Sequence, residues 1–366
     1  MGSPLRVLHV VVNMNRGGAE TLIMNLYRNI DRQKVQFDFL TCKEGVFDAE
    51  IEKLGGKIHR IPYISEVGHF GYIKELKKFF IENNHYKIVH SHMDKMSGLV
   101  LREANLVGIP IRISHSHNTS SEGGIAAKIY KWYAGKWILP NATNLFACSK
   151  IAAEWLFKNN TNPIQIIKNG IECEKFSFSQ VTREEVRKDL NINNNQLVIG
   201  HVGRFNHQKN HAFLINLFEK YHKINPDSVL ILIGDGPLRL NIQTQVEELK
   251  LENYVKFLGI RNDIHRLLQA FDLFIFPSLH EGLPVSLIEA QAAGLKCLIS
   301  ENISHEVDMG SNLVEFLPIN DESIWVQKIK NKRVNRNNSI NTIVKNGYEI
   351  KDTAVNIEKF YLKISG

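Results

Sequence analysis

Five short segments carry residue types that could do chemistry, and each stands where an apolar run ends. The richest reads Phe276-Pro277-Ser278-Leu279-His280-Glu281-Gly282-Leu283-Pro284-Val285-Ser286-Leu287-Ile288-Glu289-Ala290. An extended run stops at Pro277, and Pro284 stands where proline favours a helix start. The first turn of that helix offers unpaired N–H groups and the positive end of a dipole. Glu281 precedes the helix and Glu289 lies inside it, eight positions later. One carboxylate can accept from ligand hydroxyls at the mouth while the other reaches hydroxyls deeper along the helix. The same two acids also fit a glycosidase pair, or a cap and a surface acid.

The other four segments add cations, glycines and histidines. Gly200-His201-Val202-Gly203-Arg204-Phe205-Asn206-His207-Gln208-Lys209-Asn210 places Arg204 and Lys209 around a turn between a strand and a helix. Arginine can fork onto two phosphate oxygens and lysine supplies a flexible point charge, a pair that suits a diphosphate. Two solvated loop cations would look the same. Leu232-Ile233-Gly234-Asp235-Gly236-Pro237-Leu238-Arg239 opens like a dinucleotide fingerprint, but Arg239 stands where the third glycine belongs, which argues against a nicotinamide cofactor. Arg16-Gly17-Gly18-Ala19-Glu20 lets backbone approach a ligand at a helix start, or makes a plain tight turn. In Ser114-His115-Ser116-His117-Asn118, strand alternation puts His115 and His117 on one face. With no Cys nearby and no HExxH, a hydrogen-bonding role there is better supported than metal binding.

These segments need elements to position them. Apolar runs without alternation occur at Leu5–Val12, Val35–Cys42, Lys57–Ile61, Lys87–His90, Ile109–Ser114 and Thr143–Ala147. They recur at Leu197–Val202, Val229–Ile233, Tyr254–Leu258, Leu273–Phe276 and Lys296–Ser300. Such runs read as strands covered on both faces. Helical patterns lie between them, so the chain reads as two α/β units in tandem, each a doubly wound parallel sheet. Ligands of such sheets bind outside the carboxyl ends of the strands. The expected division is 1–176, a polar linker over 177–195, a second unit over 196–345, and a final helix over 346–366 that docks on the first. Asn331–Asn341 reads as a loop.

Composition narrows the functions. A chain of 366 residues, 43% apolar and 23% charged, can bury two cores without disulfides or a structural metal. Its four cysteines show no paired spacing, which disfavours a zinc finger or dithiol site and fits a reducing compartment. The +7 net charge suits an anionic partner, but no nucleic-acid recognition module is present. No apolar run approaches a membrane span, and Met-Gly-Ser-Pro-Leu-Arg lacks a signal peptide's core, so the expected location is cytoplasmic.

In order and spacing these motifs resemble the retaining, nucleotide-sugar-dependent glycosyltransferases of family 4, with the GT-B fold of two facing Rossmann-like domains and an interdomain cleft. The likeness runs through Gly17-Gly18-Ala19-Glu20, the His117 strand end, Cys148-Ser149-Lys150, Lys168-Asn169-Gly170-Ile171-Glu172, Gly203-Arg204 with Lys209, Gly234-Asp235-Gly236-Pro237, and Glu281 to Glu289. Met14-Asn15-Arg16-Gly17-Gly18-Ala19-Glu20-Thr21 and His115-Ser116-His117-Asn118-Thr119 are most similar to bacterial enzymes of exopolysaccharide and capsule synthesis.

The resemblance implies that Arg204 and Lys209 hold the donor diphosphate and that Glu289 accepts from the nucleotide ribose. It implies that Glu281 grips the donor sugar, helped by backbone donors of Gly282, Leu283 and the residues around Pro284 and Val285, with Ser286 beside the phosphates. Gly17 and Gly18 would close over the phosphates, Gly203 and Gly234 would line the site, the Ile260 loop would meet the base, and His117 would lie near the sugar's C6. His117, Arg204, Lys209 and Glu281 are the catalytic expectations. One departure is that Gly282-Leu283-Pro284 stands where many relatives carry Pro-Phe-Gly.

The same resemblance implies a nucleotide-diphosphate-sugar donor, UDP-linked by expectation, and a saccharide or lipid-diphosphate-linked acceptor. No metal or cofactor is expected, and no two aspartates stand in a D-x-D spacing. Ile125–Asn141 interleaves Lys128, Lys131 and Lys136 with Tyr130, Trp132, Tyr133 and Trp137, a composition that suits an anionic membrane surface or a buried helix with snorkelling lysines. A GT-B-type nucleotide-sugar epimerase and a non-catalytic partner subunit are the alternatives.

Overall fold

The computed structural model describes residues 3–121, 123–158, 160–331, 336 and 338–366. The chain divides into two units: one runs to Gly170 and takes up Glu349–Gly366, and the other is Ile171–Tyr348.

In the first unit, β1 (Leu5–Val10), β2 (Val35–Thr41), β3 (Ile58–Arg60), β4 (Ile88–Ser91), β5 (Ile111–Ser116), β6 (Asn144–Ala147) and β7 (Ile164–Ile166) form a parallel sheet in the order β3-β2-β1-β4-β5-β6-β7. In the second, β8 (Leu197–Val202), β9 (Ser228–Ile233), β10 (Val255–Gly259), β11 (Leu273–Phe276), β12 (Cys297–Ser300) and β13 (Val314–Leu317) form another in the order β10-β9-β8-β11-β12-β13. Every residue of β2, β9 and β11 is buried, because helices cover both faces of each sheet. Winding reverses between β1 and β4 in the first sheet and between β8 and β11 in the second.

Two strands escape the sequence pattern for a physical reason. β7 and β13 are edge strands of three and four residues, partly exposed, so neither shows an apolar run. Glu315 within β13 pairs with Lys296 and Lys328 at that edge.

The stretch expected as a linker, 177–195, is instead folded into the second unit. It holds the helix Gln180–Asp189, whose Arg187 is only 1% exposed. Arg187 and Arg183 both donate to the carboxylate of Asp272, at 2.7 and 2.6 Å, and Arg187 also donates to the carbonyls of Asn193, Asn194 and Gln196. Asp272 in turn accepts from the amide of Val198 in β8. The arginines that read as solvated are partners of Asp272 inside the unit.

The terminal helix Ile350–Ser365 belongs to the first unit. Its Ala354, Ile357 and Tyr361 pack in one core with Tyr27 and Phe37. Of the Asn331–Asn341 loop, residues 332–335 and 337 lie outside the described residues, and its last residues enter the helix Ile340–Lys345.

Removing one member of a buried charge cluster leaves the others uncompensated, at a cost of about 3–5 kcal/mol. Asp272→Ala should therefore lower the urea midpoint of the Ile171–Tyr348 unit by that much stability, followed by tryptophan fluorescence; an unchanged midpoint would show that the cluster does not hold this segment down.

Candidate functional site

In the second unit the loops after β8, β9 and β11 meet beside the point where winding reverses. Gly234 has φ 135°, and a Cβ there would lie 2.1 Å from the carbonyl oxygen of Gly203. Only glycine allows this approach. The amide of Gly203 donates to Ile233, that of Phe205 to Asp235, and that of Leu238 to Phe205, so the β8 and β9 loops are joined backbone to backbone. Gly203 and Gly234 thus have a packing reason to be glycine, separate from any ligand. Pro237 precedes the following helix, which begins at Arg239, and Arg239 lies 3.5 Å from Asp235.

The β8 loop is also fastened to the β11 loop. The side chain of Asn206 accepts from the amide of Lys209, and Asn210, at φ 55°, donates to the carbonyl of Pro277. Gln208 accepts from the amide of Leu279 and donates to the carbonyl of His280. These bonds aim Lys209 so that Nζ lies 2.7 Å from Glu281 Oε1 and 4.3 Å from the centroid of the Phe276 ring. Glu281 is further held by a parallel bridge to Ile303. Arg204, on the same loop as Lys209, is exposed.

Beyond Glu281 the chain enters the helix Val285–Ala292, which has no side-chain cap. Pro284 is buried, and Leu283 and Val285 pack against the core. What Gly282 through Ser286 can offer a ligand is therefore mainly backbone N–H, together with the partly exposed Ser286 hydroxyl. Glu289 lies just under one turn beyond Ser286, and burial pushes its carboxyl up to about 7. Ile260 is exposed after β10, beside an Arg261–Asp263 pair.

In the first unit, the ends of β1, β4 and β5 surround a cavity of about 380 Å³. Gly17, Gly18 and His117 line it together with Glu20, Asp94 and Lys95. Glu20 folds back on the start of the helix Gly18–Asn29: a Cβ on Gly17 would lie 2.1 Å from Glu20 Oε2. Burial raises the Glu20 carboxyl above its ordinary pKa.

Behind the cavity stand five histidines. The His115 and His117 rings lie 4.0 Å apart on one face, as alternation requires. His117 Nε2 is 2.8 Å from His92 Nδ1, and His92 Nε2 is 2.9 Å from His9 Nδ1. His90 bridges His115 at 3.2 Å and the hydroxyl of Tyr361 at 2.6 Å. Burial drives all five far below the ordinary histidine range, His9 and His117 to about 3. The nitrogens of His9, His90 and His92, or of His92, His115 and His117, are close enough to share an ion. Both nitrogens of His90 and of His92 are already hydrogen-bonded, however, so neither ring has a lone pair to spare for an ion.

The Glycosyltransferase Family 4 model matches residues 16–175, and the Glycosyl transferases group 1 model matches residues 182–335. Over 335 residues the chain is 40% identical to the putative glycosyltransferase EpsF of Bacillus subtilis, covering 89% of this chain and 87% of that one. This chain is a family 4 glycosyltransferase.

Further relatives agree. The glycosyltransferase is 28% identical to the Escherichia coli UDP-Gal:α-D-GlcNAc-diphosphoundecaprenol α-1,3-galactosyltransferase, over 81% of this chain and 80% of that one. It is 27% identical to the capsular polysaccharide biosynthesis glycosyltransferase CapH of Staphylococcus aureus, over 98% and 99%. Anabaena HepE, solved in complex with UDP-glucose, shares its GT-B fold with a TM-score of 0.78 at 19% identity, covering 98% of this chain and 99% of that one.

Of the residues singled out in the sequence, the first unit of the glycosyltransferase brings Gly17, Gly18 and His117 to one cavity. The second brings Lys209 and Glu281 into contact and places Gly203 against Gly234. Ile260 follows β10, two strands away from β8 in the sheet order. Sequence reasoning missed His9, His90 and His92. The His-x-His at the end of β4 repeats the spacing of the one at the end of β5, and that repeat was the available signal.

A carboxyl whose pKa is raised on folding favours the folded state below pH 4.5 and loses that advantage as pH climbs to about 7. Glu289→Gln removes the cost of the buried charge. It should raise Tm by about 2–6 °C at pH 8 and leave it nearly unchanged at pH 5 in calorimetry; equal shifts at both values would mean that Glu289 ionises as an ordinary carboxyl.

Proposed function

We propose that this glycosyltransferase moves a sugar from a UDP-sugar to a saccharide or lipid-diphosphate-linked acceptor in exopolysaccharide or capsule synthesis, with retention at the anomeric carbon and without a metal or cofactor. The observation that carries the reading is the Lys209–Glu281 pair at the winding reversal of the second sheet, with exposed Arg204 on the same loop and an uncapped helix start after Glu281. The UDP-galactose donor and diphosphoundecaprenol-linked acceptor in the name of the E. coli relative, the capsular role in the name of CapH, and UDP-glucose in HepE support the donor and acceptor classes.

The chemistry is governed by charge. When the anomeric C–O bond breaks, its electron pair passes to the diphosphate and the sugar ring gains positive character. Cations and N–H dipoles already fixed in place stabilise that departing charge without reorganising. Lys209, tied to Glu281 and resting on Phe276, is such a fixed cation; Arg204 supplies a fork for two phosphate oxygens. Glu281 accepts from the sugar's hydroxyls, and the ribose hydroxyls donate to Glu289. The acceptor hydroxyl attacks from the face the diphosphate leaves, and its proton passes to the leaving phosphate oxygen. An epimerase on the same scaffold would interconvert sugars with no acceptor present, and a non-catalytic subunit would turn nothing over.

The acceptor class gives the helix Ile125–Gly135 a use. Ile125, Ile129, Trp132 and Tyr133 are exposed on it, and Lys136 lies 3.6 Å from the Trp132 ring centroid. Exposed Phe70 stands on a neighbouring helix, joined through His69 to the hydroxyl of Tyr130 at 2.6 Å. Aromatic and aliphatic side chains beside lysines suit the inner face of an anionic membrane, consistent with a cytoplasmic enzyme that works on a lipid-linked acceptor. Among the described residues no helix is long and apolar enough to cross a membrane.

Two experiments test the reading. Lys209→Ala should reduce transfer from a UDP-sugar at least 100-fold and weaken UDP binding about tenfold by calorimetry, while rates equal to the parent would remove the assignment. In flotation, vesicles with anionic lipid should carry the enzyme upward and neutral vesicles should not. Phe70→Ala with Trp132→Ala should return most of it to the bottom fraction; flotation indifferent to both lipid charge and these changes would rule the surface out.

A further inference from the structure

The row of histidines has a direction. Each ring is neutral near pH 7, so each carries one N–H and one lone pair. The links join His117 Nε2 to His92 Nδ1 and His92 Nε2 to His9 Nδ1. Both links can be hydrogen bonds only if all three rings are the same tautomer: every hydrogen on Nδ1 or every hydrogen on Nε2. One orphan nitrogen remains at each end, His9 Nε2 and His117 Nδ1, both covered and without a partner.

The two ends are not alike. His9 stands among aromatic rings, its centroid 4.1 Å from that of Phe37 and 5.7 Å from that of Phe39. If every hydrogen were on Nε2, His9 would hold an N–H in that apolar setting with nothing to accept it, and buried orphan donors are rare and cost about 1–3 kcal/mol. If every hydrogen is on Nδ1, His9 leaves only a lone pair there. The unpaired donor then belongs to His117, covered like His9 Nε2 but in a ring that lines the cavity, the end of the row that a ligand can approach.

We propose that His9 and His92 are positioning residues that lock His117 as a neutral Nδ1–H donor toward an oxygen of the ligand in the first-unit cavity. In this arrangement His9 Nδ1–H donates to His92, and His92 Nδ1–H donates to His117 Nε2. His117 is then neither a base through Nδ1 nor a cation; it recognises an acceptor atom such as a sugar hydroxyl oxygen. The inference deepens the glycosyltransferase reading in naming a sugar, but the tautomer pattern stands or falls without turnover.

The test is a long-range ¹⁵N–¹H correlation spectrum of the full chain labelled at histidine ring nitrogens, recorded without ligand between pH 6 and 8. His9, His92 and His117 should all appear as neutral Nδ1–H tautomers that do not titrate, assigned by loss of signals in His9→Leu, His92→Leu and His117→Asn. An Nε2–H signal for His117, unlike tautomers among the three, or an imidazolium in this range would overturn the proposal. His92→Gln can accept from His9 and donate to His117, so it should keep His117 as the Nδ1–H form and retain at least a third of kcat. His92→Leu should release His117 to a mixture and lose at least tenfold in kcat. If the leucine variants fail to fold, the parent spectrum and His92→Gln still decide. A correct tautomer pattern with no UDP-sugar turnover would leave the relay standing and defeat only the transferase reading.

Discussion

A parallel sheet can open a crevice at its edge only where its winding reverses, because there the chains leaving two adjacent strands depart to opposite faces. The chain has one such place in each sheet, between β1 and β4 and between β8 and β11. Gly17, Gly18 and His117 stand beside the first of these places, and Arg204, Lys209 and Glu281 beside the second. Around the second, backbone hydrogen bonds from Gly203, Phe205, Leu238 and Leu279 weld three loops into one surface. The side chains it presents are consequently aimed by main-chain geometry, which is what preorganised charge stabilisation demands.

The cost of burying polar groups is met in two ways. In the second unit, charge is kept and compensated: Lys209 has Glu281 and the Phe276 ring, and Arg183 and Arg187 share Asp272. Behind the first-unit cavity burial suppresses charge instead, and five neutral imidazoles bond to one another and to Tyr361, leaving His9 Nε2, His115 Nε2 and His117 Nδ1 unpaired. A cation beside a departing diphosphate must remain charged to be useful. A group that reads hydroxyls need only present the correct donor or acceptor, and neutrality spares it the larger desolvation cost.

The strands were legible wherever both faces are covered, since Leu197–Val202, apart from His201, and Leu273–Phe276 are apolar and coincide with β8 and β11. Edge strands β7 and β13 were not, because exposure on one side dilutes the pattern that marks a buried strand. Polarity misled at 177–195, where arginines look solvated in one dimension and are internal once Asp272 is brought from 85 residues away. Among site residues, Lys209 and Glu281 were legible by type, but their contact depends on the Gln208 and Asn210 bonds to the β11 loop, which no spacing encodes. His9 was invisible for a stronger reason: its role comes from register with β4, where it pairs with His90, and register is a property of two strands.

The departure at Gly282-Leu283-Pro284 can be weighed in the same terms. Leu283 packs on the core and Pro284 is buried, so in this segment the side chains serve the fold and mainly backbone N–H is left to offer a ligand. Side-chain changes at Leu283 and Pro284 therefore alter little in what the helix start offers an anion. Discrimination between ligands must come from side chains with unspent hydrogen-bonding capacity. Among the described residues that line the first-unit cavity, His117 Nδ1, Ser121 Oγ and Asn169 Oδ1 are of this kind, buried and without a hydrogen bond. A site that holds such groups rejects a ligand lacking the matching hydroxyl far more strongly than a hydrophobic pocket rejects a missing methylene, because the unmatched polar atom stays buried and unpaired. Selectivity of this kind depends on where such atoms are held, and the link between His92 and His117 Nε2 fixes the ring that carries one of them.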